Sequence, residues 1–135
     1  MMDRDESCAA RVRPMWEQTR ADLRRMLIDN EPEEGYEDGT DEFCDYGLSF
    51  DYVAPGTFEN QEAGYFRFQM STGGPGDELR FYAGRDNDLH CAEYWFLDWF
   101  DGAHLDVTSS DEARAVWDWF ADVGTVDHAY QEGRE

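Results

Sequence analysis

The chain contains no lysine. All 11 of its basic residues are arginine, set against 32 aspartates and glutamates, so its 135 residues carry a formal charge of −21. Beyond residue 30 only Arg67, Arg80, Arg85, Arg114 and Arg134 stand among 26 acids. Binding nucleic acid takes clustered Lys or Arg to neutralise phosphates, so direct contact with DNA or RNA is excluded as an expectation. An apolar run long enough to span a membrane is also missing. Residues 1–8 lack the apolar core of a signal peptide, which predicts a cytoplasmic protein of the host cell. The three cysteines, Cys8, Cys44 and Cys91, are odd in number, far apart and without a Cys-x-x-Cys pair. They support neither a disulfide framework nor a thiolate zinc site.

Catalytic signatures are equally scarce. No Ser/His/Asp or Cys/His order has a recognisable local pattern. The glycine-rich residues 72–76 are followed by Asp77 and Glu78 in place of the lysine of a phosphate loop, so they read as a hairpin turn. Asp98, Asp101 and His104 are spaced by three, but a metal needs three or four converging ligands and spacing shows no convergence. With 32 acids, carboxylate pairs suited to glycoside hydrolysis carry no specificity. The expectation is a protein with no enzymatic activity, no cofactor and no metal.

What is present is aromatic and apolar material for a core, with nine Phe, seven Tyr and five Trp. A disordered acidic tail would lack it. The length fits one domain over residues 1–135. Val12, Met15, Trp16, Leu23, Met26 and Leu27, with Thr19 in the gap, form an amphipathic stripe. Pro14 suits a first turn, so the regular helix is placed over 13–29, ended by Asn30 and Pro32. An acidic loop follows over 30–45. Residues 46–53 alternate, with Tyr46, Leu48, Phe50 and Tyr52 on one face. Segments 65–71, 78–83 and 89–97 are aromatic-rich strands separated by turn residues. They form an antiparallel meander, with 103–108 as a short fifth strand and the whole sheet lying within 46–108. Residues 98–102 close the meander. Ser109 and Glu112 match a capping box for a helix over 110–123, which Gly124 ends. Residues 124–135 read as a frayed tail. The predicted class is α+β, a sheet of about four to five strands flanked by an N-terminal and a C-terminal helix.

The charge is unevenly placed along the chain. Residues 1–30 hold six acids and six arginines, so residues 31–135 carry the whole −21. Eight of the fifteen residues 31–45 are acidic: Glu31, Glu33, Glu34, Glu37, Asp38, Asp41, Glu42 and Asp45. These are the candidate partner-binding residues, with Tyr36 and Phe43 as anchors in the core or in the partner. Duplex DNA carries one charge per about 1.7 Å, so this charge corresponds to roughly 36 Å of duplex. A compact chain of this length has a diameter of roughly 35–40 Å. The charge per length is therefore that of DNA.

In small size, acidity and aromatic content the chain resembles phage- and plasmid-borne DNA-mimic inhibitors of the anti-CRISPR and anti-restriction kind. Residues 71–75 (Ser-Thr-Gly-Gly-Pro), 79–81 and 97–100 (Leu-Asp-Trp-Phe) are also similar to a group of small mobile-element proteins. The first resemblance implies an inhibitor occupying the basic DNA- or RNA-binding surface of a host defence complex. Two alternatives stay open: an immunity protein or antitoxin for a basic nuclease toxin, and a salt-adapted acidic protein with no mimic role. The neutral first thirty residues argue against adaptation, which should acidify every exposed face.

Overall fold

The computed structural model describes residues 7–72, 75–98 and 101–133. Of the expected turns, Gly73, Gly74, Trp99 and Phe100 lie outside that set.

Helix α1 runs over Cys8–Leu23 and buries Cys8, Val12, Trp16, Thr19 and Leu23 on one stripe. It begins earlier than Arg13, for two reasons. The Ser7 side chain caps it by accepting from the Ala10 amide, and the Asp101 carboxylate accepts from the Cys8 amide at 2.8 Å. Both satisfy amide groups that a helix N-terminus leaves open. Pro14 sits inside the helix on its exposed side. A π-helical turn, Arg24–Ile28, prolongs α1, and the Asp29 amide donates to the Arg24 carbonyl at 2.8 Å. Asn30, in the left-handed region at φ 53°, ends it.

Part of the expected acidic loop is a helix. α2 covers Gly39–Tyr46, capped by the Asp38 side chain on the Asp41 amide. Carboxylates at a helix N-terminus complement its dipole, so Asp41 and Glu42 in the first turn favour it. Tyr46 closes this helix, and the first strand therefore begins later than expected.

The sheet has five antiparallel strands in chain order: β1 Ser49–Val53, β2 Tyr65–Ser71, β3 Gly76–Ala83, β4 Leu89–Asp98 and β5 Asp101–Asp106. α3 spans Asp111–Asp122. Its cap is Ser110, whose hydroxyl accepts from the Ala113 amide, so the capping residue stands one position after Ser109. The expected tail is also helical: α4, Thr125–Gly133, buries Val126 and Ala129 after Gly124 turns the chain at φ 85°. The fold is α+β.

Helices α1 to α4 lie on one face of the sheet. Trp16 of α1 packs on Tyr94, Phe43 of α2 on Phe68, Trp117 of α3 on Phe66 and Phe81, and Tyr130 of α4 on Tyr52. The register aligns Phe50, Phe68, Leu79, Tyr94 and Leu105 across this face, beside Tyr52, Phe66, Phe81 and Ala92. Period-two alternation puts the other residues of each strand on the opposite face. Within the core Asp77 is buried, accepting from the hydroxyls of Tyr94 at 2.7 Å and Ser71 at 2.5 Å.

Candidate functional site

The open face of the sheet carries four carboxylates, Asp51, Glu78, Glu93 and Asp106, against two arginines, Arg67 and Arg80. Asp51, Arg67, Arg80, Glu93 and Asp106 form one cross-strand row. Arg67 binds Asp51 through two hydrogen bonds of 3.1 and 2.8 Å. Arg80 lies between the rings of Trp95 and Tyr65, 3.9 and 4.8 Å from their centroids, and donates to Glu78 at 2.6 Å. Glu93 accepts from the Trp95 indole at 3.0 Å and the Tyr82 hydroxyl at 3.3 Å. Burial and the neighbouring Glu93 push the Tyr82 phenol up to about 12. His104 stacks on Trp95 with centroids 4.4 Å apart. An open cavity of about 400 Å³ separates this face from the loop at 58–63. On the sheet side of it Glu78 and Glu93 are held by Arg80, Tyr82 and Trp95, whereas Glu59 and Glu62 on the loop side are exposed.

The metal triad suggested by spacing does not assemble. Asp98 pairs with Arg11 at 2.7 Å, Asp101 caps α1, and His104 lies on Trp95. Among the described residues no cluster of His, Cys, Asp and Glu could hold an ion.

Arg24, Arg25 and Arg80 engage buried acids, while Arg11, Arg67 and Arg114 pair with part-buried or exposed aspartates. Glu42, Glu78 and Glu112 are buried, and they pair with Arg25 at 2.7 Å, Arg80 at 2.6 Å and Arg24 at 2.9 Å. The π-helical turn presents Arg24 and Arg25, adjacent in sequence, to two different helices: Glu112 at the start of α3 and Glu42 in α2. Arg25 grips Glu42 with two parallel hydrogen bonds of 2.7 and 2.8 Å, and Glu42 also accepts from the Glu33 amide at 3.0 Å. The guanidinium beside it lowers the Glu42 carboxyl to about 2. The pair raises the Arg25 pKa in turn.

This pairing fastens the acidic segment to the body. Gly39 lies so close to the π-helical turn that a Cβ there would sit 1.9 Å from the Met26 carbonyl oxygen. The Asn30 side chain accepts from the Gly39 amide at 2.6 Å. Phe43 inserts among Phe68, Trp119 and Phe120. The Asp41 amide and the Thr40 hydroxyl hold the Asp38 carboxyl below its usual range. Desolvation, then the charge of Asp45, pushes the Tyr36 phenol up.

The candidate residues thus divide. Glu42 is internal and leaves the set available to a partner, because a buried carboxylate needs its charge answered from inside the fold, here by Arg25. Glu31, Glu33, Glu34, Glu37, Asp38, Asp41 and Asp45 are all exposed. Among the described residues none of the seven forms an ion pair. Other exposed carboxylates among the described residues stand at Glu17, Asp29, Glu59, Glu62, Asp86, Asp88, Asp101, Asp106, Asp111, Asp118, Asp122, Asp127 and Glu132. Sequence reasoning missed a groove beside the acidic segment. It is lined by Phe43, Cys44, Leu48, Phe50, Trp119 and Phe120 and offers about 230 Å³ open to solvent. The aromatic content of 43–50 was its only signal, and a loop assignment over 30–45 hid it.

No family model, curated protein or solved structure matches this chain.

Proposed function

We propose that this protein is an acidic mimic of nucleic acid, which inhibits a host defence complex by occupying its basic DNA- or RNA-binding surface. The observation that carries the reading is the division of charge. Arginines neutralise the buried glutamates, while the exposed acids of 31–45 form no ion pair among the described residues. Like charges held close repel, and a protein keeps such an arrangement at a cost to its own stability. A cationic groove shaped for duplex would relieve the repulsion and steer association electrostatically. The segment is also anchored, by Glu42, Gly39 and Phe43, so its carboxylates are presented from an ordered support. Inhibition would proceed by occupancy, without covalent chemistry.

The test is retrieval of a DNA- or RNA-binding complex from the natural host by the immobilised protein, followed by elution with duplex DNA. Elution by DNA, steep loss of binding with salt, and weak retrieval by a Glu31→Gln, Glu33→Gln, Glu34→Gln, Glu37→Gln variant are the expected results. Retrieval that neither DNA nor the four substitutions affect refutes the reading. Tight capture of one nuclease toxin, with indifference to DNA-binding machinery, returns the immunity-protein alternative.

A further inference from the structure

We infer that the groove between α2, α3 and β1 receives an apolar side chain carried on a cationic segment of the partner. The inference rests on the reading above in one respect, that the partner is basic, and it adds where and how that partner is gripped.

Three observations converge on the groove. The first is its build. Gly47 has no side chain because a Cβ there would stand 2.2 Å from the Phe68 ring, so the chain passes directly over that ring. The floor is thereby aromatic, and Leu48 is left on the rim at 59% exposure. The open volume of about 230 Å³ suits one or two large side chains.

The second is the orientation of the two helices. The lining residues Phe43 and Cys44 belong to the last turn of α2, and Trp119 and Phe120 to the last turn of α3. A helix C-terminus carries a partial negative charge from its terminal carbonyls, which a basic residue in the last turn usually offsets. Neither helix has one; Asp45 and Asp122 occupy those turns instead. Two negative helix ends, each with an added carboxylate, therefore meet at one apolar hollow.

The third is the lining itself, which among the described residues contains no basic one. A wholly apolar occupant would leave this field unanswered, and a wholly cationic one would leave the hollow empty. A Leu, Met or Phe flanked by Lys or Arg answers both.

The probe is a short lysine peptide with one central leucine, compared with the same peptide carrying serine at that position, both titrated calorimetrically. The leucine peptide should bind the wild-type protein about tenfold more tightly, since one buried apolar side chain contributes that much. The preference should persist at about 0.5 M salt, where charge attraction is screened, because apolar burial is not. Leu48→Asp, at an exposed position that a thermal melt can show to be folded, should abolish the preference. An Asp45→Asn, Asp122→Asn variant should weaken both peptides alike and keep the preference. Equal affinity of the two peptides, or an unchanged preference in Leu48→Asp, overturns the inference. So does a concentration-dependent dimer that Leu48→Asp dissolves, since a second copy would then be the occupant. Equal affinity together with DNA-elutable retrieval removes the groove and leaves mimicry standing. A leucine preference without DNA competition does the reverse.

Discussion

Glu42→Gln offers a direct measure of how firmly the acidic segment is fastened. The folded protein lowers the Glu42 carboxyl from 4.5 to about 2, chiefly through the Arg25 hydrogen bonds. Each unit is worth about 1.4 kcal/mol, so the ionised group contributes about 3 kcal/mol to folding at neutral pH. The side chain is only 8% exposed, so solvent screening takes little from that figure. Because the folded value is depressed, the contribution is complete above the ordinary value of 4.5. It is lost as pH falls through that point toward about 2. Urea unfolding of wild type and Glu42→Gln should therefore differ by about 3 kcal/mol near pH 7 and converge near pH 2. Other acids held low, such as Asp38, Asp101 and Glu112, act in both proteins and cancel in the difference. The substitution also removes one negative charge from a strongly acidic molecule, which favours folding. Glu34→Gln controls for this, since it removes the same charge from an exposed residue with no ion pair among the described residues, and it should change stability by less than about 0.5 kcal/mol. A Glu42→Gln effect no larger than the control, or one of equal size at both pH values, would refute the account of Glu42 as an anchor.

Gly39→Ala should destabilise by about 1–3 kcal/mol in chemical denaturation, because its Cβ would collide with the Met26 carbonyl and displace α2. Tyr94→Phe removes a donor from buried Asp77 and should cost about 1–3 kcal/mol, whereas Tyr130→Phe, at an exposed position, should cost less than about 1 kcal/mol. Raising salt from about 0.01 to about 0.1 M shortens the Debye length from ~30 to ~10 Å and should raise the melting temperature of this −21 chain. A falling melting temperature would show that internal ion pairs outweigh the repulsion.

The strands were legible because aromatic alternation is a local signal: Phe66, Phe68 and Met70 face inward and Arg67 and Gln69 outward, as the pattern requires. The helices were less so. The start of α1 depends on Asp101, far along the chain, which supplies an acceptor for the Cys8 amide. α2 looks like a loop by composition; what makes it a helix is the Asp38 cap, the dipole and the remote partner Arg25. α4 follows a glycine that ends one helix, and its only local sign was the spacing of Val126 and Ala129. For the site, acid density found seven exposed carboxylates. It could not separate Glu42 from them, since burial is set by a tertiary contact.

The wide turn closing α1 fixes which cation meets which anion. An α-helix advances about 100° per residue, so removing one residue from Arg24–Ile28 would restore regular winding and rotate what lies beyond it by that angle. Arg24 and Arg25 could then no longer both keep their present directions. The entrance to α3 or the body of α2 would lose its fastener. That extra residue works as a shared hinge pin: two elements distant in sequence are joined to the first helix through one local irregularity, and a shortened chain could no longer hold both.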